Sequence, residues 1–186
     1  KTATARARVL ATTVRGYRGY RTEDLRRLKR PPWLLRLGLR SCTRSRPWLQ
    51  YCPQCLRGDA DPYFRRCWRL AFVTVCPAHA RRLLDRCEAC GAVVNFHRLP
   101  GDAETMTQCH GCRGDLRCAQ APTLRRTAGD CRLVQFQAFL LTTMRTGTYR
   151  VVGSSAIQGA QFFGMLHRRV WLILTTMHAP AFQEAF

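Results

Sequence analysis

The chain has 186 residues, 46% of them hydrophobic, which is room for one compact domain or two small ones and too apolar for a disordered chain. No apolar run approaches the roughly 20 residues needed to span a bilayer, and the first residues lack a secretory core and cleavage site, so a soluble cytoplasmic protein is expected. A formal charge of +20 is large for this size and calls for a polyanionic partner such as nucleic acid.

The charge is concentrated at the start. Residues 1–50 hold 14 basic and 2 acidic side chains, a net +12, against +3 for residues 51–118 and +5 for residues 119–186. Of the 31 basic residues only Lys1 and Lys29 are lysines. Arginine suits bidentate phosphate contacts, although a GC-rich coding sequence produces the same bias. Because Lys1 is not a methionine, the chain is expected to be a fragment or a processed product, truncated at this end. Residues 1–50 are expected to be basic and partly helical. Around "RARVLATTV" a helix is incomplete; Thr22 caps "EDLRRLKR", and Pro31-Pro32 stops it. Arg26, Arg27 and Arg30 lie on that helix and are the candidate nucleic-acid contacts. The following "WLLRLGLRS" reads equally as a helix or an extended arm.

Residues 51–118 carry the chemistry. Cys52 with Cys55, Cys76 with His79, Cys87 with Cys90, and Cys109 with Cys112 each place two ligands on one tight turn, in reach of a single tetrahedral ion. Taken in chain order, the spacings predict a Cys₃His site and a Cys₄ site, hence two structural zinc ions. An interleaved cross-brace satisfies the same spacings, and His110 or Cys118 could replace a named ligand. Disulfides would require an oxidising compartment, and x-x spacing strains a bridge between its own members. A catalytic zinc keeps one coordination position open, whereas each cluster supplies four ligands, so no enzymatic activity is expected. Cys42, Cys67 and Cys131 have no partner turn and read as buried thiols. With thiolate ligands the two sites carry −1 and −2, which brings the +3 of this region to about zero. That favours a scaffold over a phosphate clamp.

Inside the first loop Asp61 is a good N-cap, Pro62 suits the first helical position, and Phe64 and Trp68 share one helical stripe. Arg65, Arg66 and Arg69 then form a solvated face, and "LAFVTV" is β-prone. In the second loop "RRLLDRC" and "GAVVNFHRL" read as short strands around the Cys90 turn, with Gly91 at positive φ; "LPGDAET" is a polar turn.

Residues 119–186 read as a helical pair, a helix-turn-helix or a plain α-hairpin. Leu133, Phe136, Leu140 and Met144 stripe the first helix, which ends at Gly147. Ile157, Phe162, Met165 and Leu166 stripe the second. The expected fold is therefore a small α+β protein of three segments: 1–50, a tandem zinc-finger region of two zinc-ribbon-like modules at 51–118, and 119–186.

The run "YCPQCLRGDADPYFRRCWRLAFVTVCPAHARRLLDRCEACGAVV", followed by "CHGCRGDL", resembles the zinc-finger core of the TniQ/TnsD family of transposon target-selection proteins. Its marks are the C-P-x-C-L turn, the P-Y-x-R-x-x-W-R-L segment and the V-C-P-x-H-x-x-x-L-L-D-x-C-x-x-C-G run. The likeness implies a non-catalytic adaptor of DNA transposition that links target DNA, or a CRISPR guide-RNA effector complex, to a transposition AAA+ ATPase. It implies two zinc ions on the eight ligands named above, a place at the bacterial nucleoid, no membrane partner, and room for a homodimer. The alternative is a sequence-specific zinc-containing DNA-binding regulator with no ATPase partner.

Overall fold

The computed structural model describes residues 13–18, 33–35, 37, 48–125, 127–149 and 156–176. The Thr22-capped helix with Arg26, Arg27 and Arg30, the Pro31-Pro32 break and Cys42 lie outside the described residues. The chain divides into two compact units, Leu35–Gln135 and a second made of Lys1–Leu34 with Phe136–Phe186.

In the Leu35–Gln135 unit the first helix, α1, is short (Pro53–Gly58) and has proline in its opening turn, where a missing N–H leaves nothing unpaired. Cys52 precedes it in extended backbone. The Leu56 N–H donates to the Cys52 carbonyl and the Asp59 N–H to the Cys55 carbonyl, both at 3.1 Å. No helix starts at Pro62: the backbone stays non-helical to Arg65, and a single 3₁₀ turn follows at Arg66–Arg69. Tertiary contacts override the Asp61 cap signal. The Arg65 guanidinium reaches back to Asp59 at 2.9 Å and lies over the rings of Tyr63 and Trp68, at 5.0 and 4.9 Å. Arg69 donates to the Leu35 carbonyl at 3.0 Å. The expected solvated arginine face is thus a set of half-buried struts.

Strand β1 (Val75–Cys76) pairs antiparallel with β2 (Arg81–Arg82), Val75 opposite Arg82 and Cys76 opposite Arg81. Single bridges extend the pairing: Tyr51 to Leu84, Arg81 to Thr123 and Arg86 to Val93. The two segments around the Cys90 turn therefore do pair, but by one bridge, and Phe96–Arg98 is a 3₁₀ turn where a strand was expected. Tyr51, Leu56, Leu70 and Val75 are fully buried and Trp68 nearly so. Among the described residues ahead of Ala128 this unit has only two-residue strands, one short helix and 3₁₀ turns, so this core is small for a free-standing fold.

The other unit is helical. Helix α2 (Ala128–Thr146) starts five residues ahead of Leu133, the first residue of the expected stripe, on a capping box: the Asp130 N–H donates to Thr127 Oγ1 at 3.2 Å and the Thr127 N–H to Asp130 Oδ2 at 3.3 Å. Residues from Phe136 onward belong to the helical unit. The helix ends at Gly147, whose φ of +77° and N–H bond to the Thr143 carbonyl at 2.9 Å make the expected cap. Strands β3 (Thr148–Tyr149) and β4 (Ile157–Gln158) form an antiparallel pair, and α3 (Gly159–Thr176) follows. The helices are joined by this hairpin, not by the short turn of a helix-turn-helix.

The buried stripes match those expected only in part, with Leu140 and Met144 buried as expected. On α2 they are Gln137, Leu140, Thr143 and Met144, while Phe136 is 52% exposed and stacks on Phe139 at 6.2 Å. On α3 the buried ring is Phe163; Met165 is 48% exposed, and Ile157 lies in β4. Trp33 Nε1 donates to the Phe163 carbonyl at 3.1 Å, and its ring meets His167 edge-on at 5.9 Å. Among the described residues no helix is long and apolar enough to cross a membrane.

Candidate metal centres

The eight predicted side chains come together as two groups of four in chain order: Cys52, Cys55, Cys76 and His79, then Cys87, Cys90, Cys109 and Cys112. Within each group every ligand atom lies within 4.8 Å of the others. The interleaved cross-brace is not formed. Neither His110 nor Cys118 joins a group, and the ten described cysteines are free of disulfides.

The separations fit a tetrahedron. Zinc–sulfur bonds of about 2.3 Å and zinc–nitrogen bonds of about 2.0–2.1 Å imply edges of roughly 3.8 Å between sulfurs and roughly 3.6 Å from sulfur to nitrogen. In the first group His79 Nδ1 stands 3.6, 3.3 and 3.5 Å from the sulfurs of Cys52, Cys55 and Cys76, and Cys55 and Cys76 are 3.5 Å apart. In the second group Cys87 and Cys112 are 3.7 Å apart, and Cys90 and Cys109 are 3.6 Å apart. A disulfide would need about 2.05 Å. Either group could hold a metal ion with all four positions taken by protein.

Local backbone explains how each turn aims its ligands. The residue four places after Cys76, Cys87 and Cys109 is in the left-handed region: Ala80 at φ 48°, Gly91 at 70° and Arg113 at 59°. The Gly91 N–H donates to the Cys87 carbonyl at 2.9 Å and the Arg113 N–H to the Cys109 carbonyl at 2.8 Å, closing each turn around its sulfurs. The Cys52–Cys55 turn reaches the same end through α1. Gly91 was legible from its lack of a Cβ; Ala80 and Arg113 were not. Left-handed backbone costs a residue with a Cβ about 1–2 kcal/mol, of which part is offset by the larger freedom of glycine in the unfolded chain. Ala80→Gly is therefore expected to raise stability by up to about 1 kcal/mol, read as a higher denaturation midpoint at unchanged metal content.

Burial sets the proton chemistry. It pushes the Cys109 thiol up to about 12 and raises Cys55 and Cys87. Cys52 is raised by its hydrogen bond with Cys76 and by burial, while the same bond lowers Cys76. The raised thiols keep their protons at neutral pH, so a cation must displace them, and capture weakens as pH falls. His110, beside the second group, is lowered by burial, and its Nδ1 has no hydrogen-bond partner. Cys67 is half-buried and its thiol raised by burial, but Cys131 is exposed, contrary to expectation, because it lies on the outer side of α2. Phe64 and Trp68 meet edge-on at 6.3 Å, with Trp68 in the core.

These features define a protein built around two four-ligand Cys/His clips. The TniQ family model matches residues 1–83, which supports assigning the chain to that family. The match takes in the basic segment and all of the first group, and ends before Cys87. TniQ is a transposition-associated domain, generally non-catalytic. Neither the curated proteins nor the solved structures contain a match to this chain.

Proposed function

We propose that each group of four holds one structural zinc ion, and that the chain is a non-catalytic target-selection adaptor of DNA transposition. In this reading it links target DNA, or a guide-RNA effector complex, to a transposition AAA+ ATPase. The TniQ match over residues 1–83 carries it. The four-ligand donor sets support it from a separate direction, because an ion with no open position organises surfaces and performs no hydrolysis.

Nucleic-acid contact is assigned to Arg26, Arg27 and Arg30, in the segment with a net charge of +12. One experiment with two arms tests the adaptor. The purified full chain should capture the ATPase from its own element with and without DNA. Replacing the three arginines by alanine should weaken nucleic-acid binding at low salt and flatten the log–log salt slope by about 3, near 0.9 for each phosphate no longer neutralised. Failure of ATPase capture under both conditions, with DNA binding intact, would favour the DNA-binding regulator; an unaltered slope would move the phosphate contact elsewhere.

A further inference from the structure

The two groups differ in which ligand faces water. In the first, the sulfurs of Cys52, Cys55 and Cys76 belong to buried residues, at 0–5% exposure, and the one partly exposed ligand is the His79 imidazole. In the second, Cys87 and Cys109 are buried but Cys90 and Cys112 are exposed. Each exposed sulfur has a buried sulfur beside it, Cys112 with Cys87 at 3.7 Å and Cys90 with Cys109 at 3.6 Å. A peroxide reaching the first group meets an imidazole, which it does not readily oxidise. At the second group it meets sulfur with a resolving partner already in place.

From this asymmetry we infer that the second group is a peroxide-sensitive thiol switch, whereas the first is a permanent clip. The inference rests on zinc occupying both groups. The Cys112 thiolate attacks one oxygen of hydrogen peroxide, forming a sulfenic acid and releasing hydroxide. The Cys87 thiolate then attacks that sulfur, forming the Cys87–Cys112 disulfide and releasing a second hydroxide. Two electrons pass from the two thiolates to the peroxide, and the equivalent step joins Cys90 to Cys109. Two thiolates cannot hold the ion as four did, so zinc leaves and the segment from Cys87 to Cys118 loosens. Reduction by a dithiol with added zinc reverses both changes.

The full chain, purified with zinc, is titrated with hydrogen peroxide while released zinc is read with a chromogenic chelator and disulfides are mapped by mass spectrometry. One of the two ions should be lost first, together with a bridge between Cys87 and Cys112 or between Cys90 and Cys109. The variant His79→Cys puts sulfur at the accessible position of the first group, and peroxide should then release both ions. Equal release of both ions from the unaltered chain, release of the first group's ion before the second's, or zinc loss without a new disulfide would each overturn the switch. Persistence of one ion in folded His79→Cys at peroxide doses that empty the second group would do the same. Untreated protein that folds without zinc would instead overturn the metal assignment.

Discussion

If each group of four holds zinc as proposed, replacing Cys55 by serine is expected to remove one of the two ions and to unfold the chain around α1 and the β1–β2 pair. Cys55 is 5% exposed and its sulfur meets Cys76 at 3.5 Å and His79 Nδ1 at 3.3 Å. The turn it anchors is continuous with Leu56, which is fully buried, and with β1, which supplies Val75 to the same core. Zinc binding in small finger modules is worth about 10–16 kcal/mol, and it is folding free energy, because the unfolded chain holds no formed site. Whole domains keep about 5–15 kcal/mol in reserve. A serine hydroxyl is a poor substitute for thiolate, and losing half of the binding energy, about 5–8 kcal/mol, exhausts the lower part of that reserve. Zinc content and thermal melting check the expectation. A variant that retains two ions and the melting midpoint of the parent would refute the structural role of the first group.

Trp68→Ala is the largest effect expected away from the ligands. The indole is 2% exposed, meets Phe64 edge-on at 6.3 Å, and lies under the Arg65 guanidinium at 4.9 Å. Its backbone is tied as well, with the Gln50 N–H donating to the Trp68 carbonyl at 3.3 Å. Truncating a buried tryptophan to alanine costs about 3–5 kcal/mol, transfer and cavity terms together. Trp68→Phe keeps most of the volume and should recover over half of the loss. Urea denaturation of zinc-loaded protein reads the difference; a cost below about 1 kcal/mol would mean that the site collapses around the missing ring and that this turn does not seat the core.

The Arg65 arrangement shows why the helix expected in this segment does not form. Asp61-Pro62 carries a sound capping signal, but a helix there would have to give up the Asp59–Arg65 pair and the placement of Arg65 between Tyr63 and Trp68. Those contacts depend on where Trp68 is buried, which periodicity over one or two turns does not encode. The helical unit repeats the lesson. Gly147 was legible because a positive φ after an apolar stripe has a residue-type signature. The inward face of α2 was legible only in part: Leu140 and Met144 are buried as the stripe implies, but Gln137 is buried in place of Phe136, because positions three and four residues ahead of Leu140 fit a 3.6-residue period equally well. The Thr127–Asp130 capping box is written in the sequence too, just ahead of the apolar stripe that periodicity detects.

The amino-acid sequence by itself determined the eight candidate ligand side chains and their turns, since two donors three residues apart are brought together by a single turn whatever the rest of the chain does. It left the partnering of those turns open, for spacing sets only what a loop can reach. Tertiary structure decided that neighbours in sequence pair, that Ala80 and Arg113 take up left-handed backbone, and that one group shows water an imidazole while the other shows it two sulfurs. Exposure is a property of what packs on a residue from far along the chain, and no local pattern carries it.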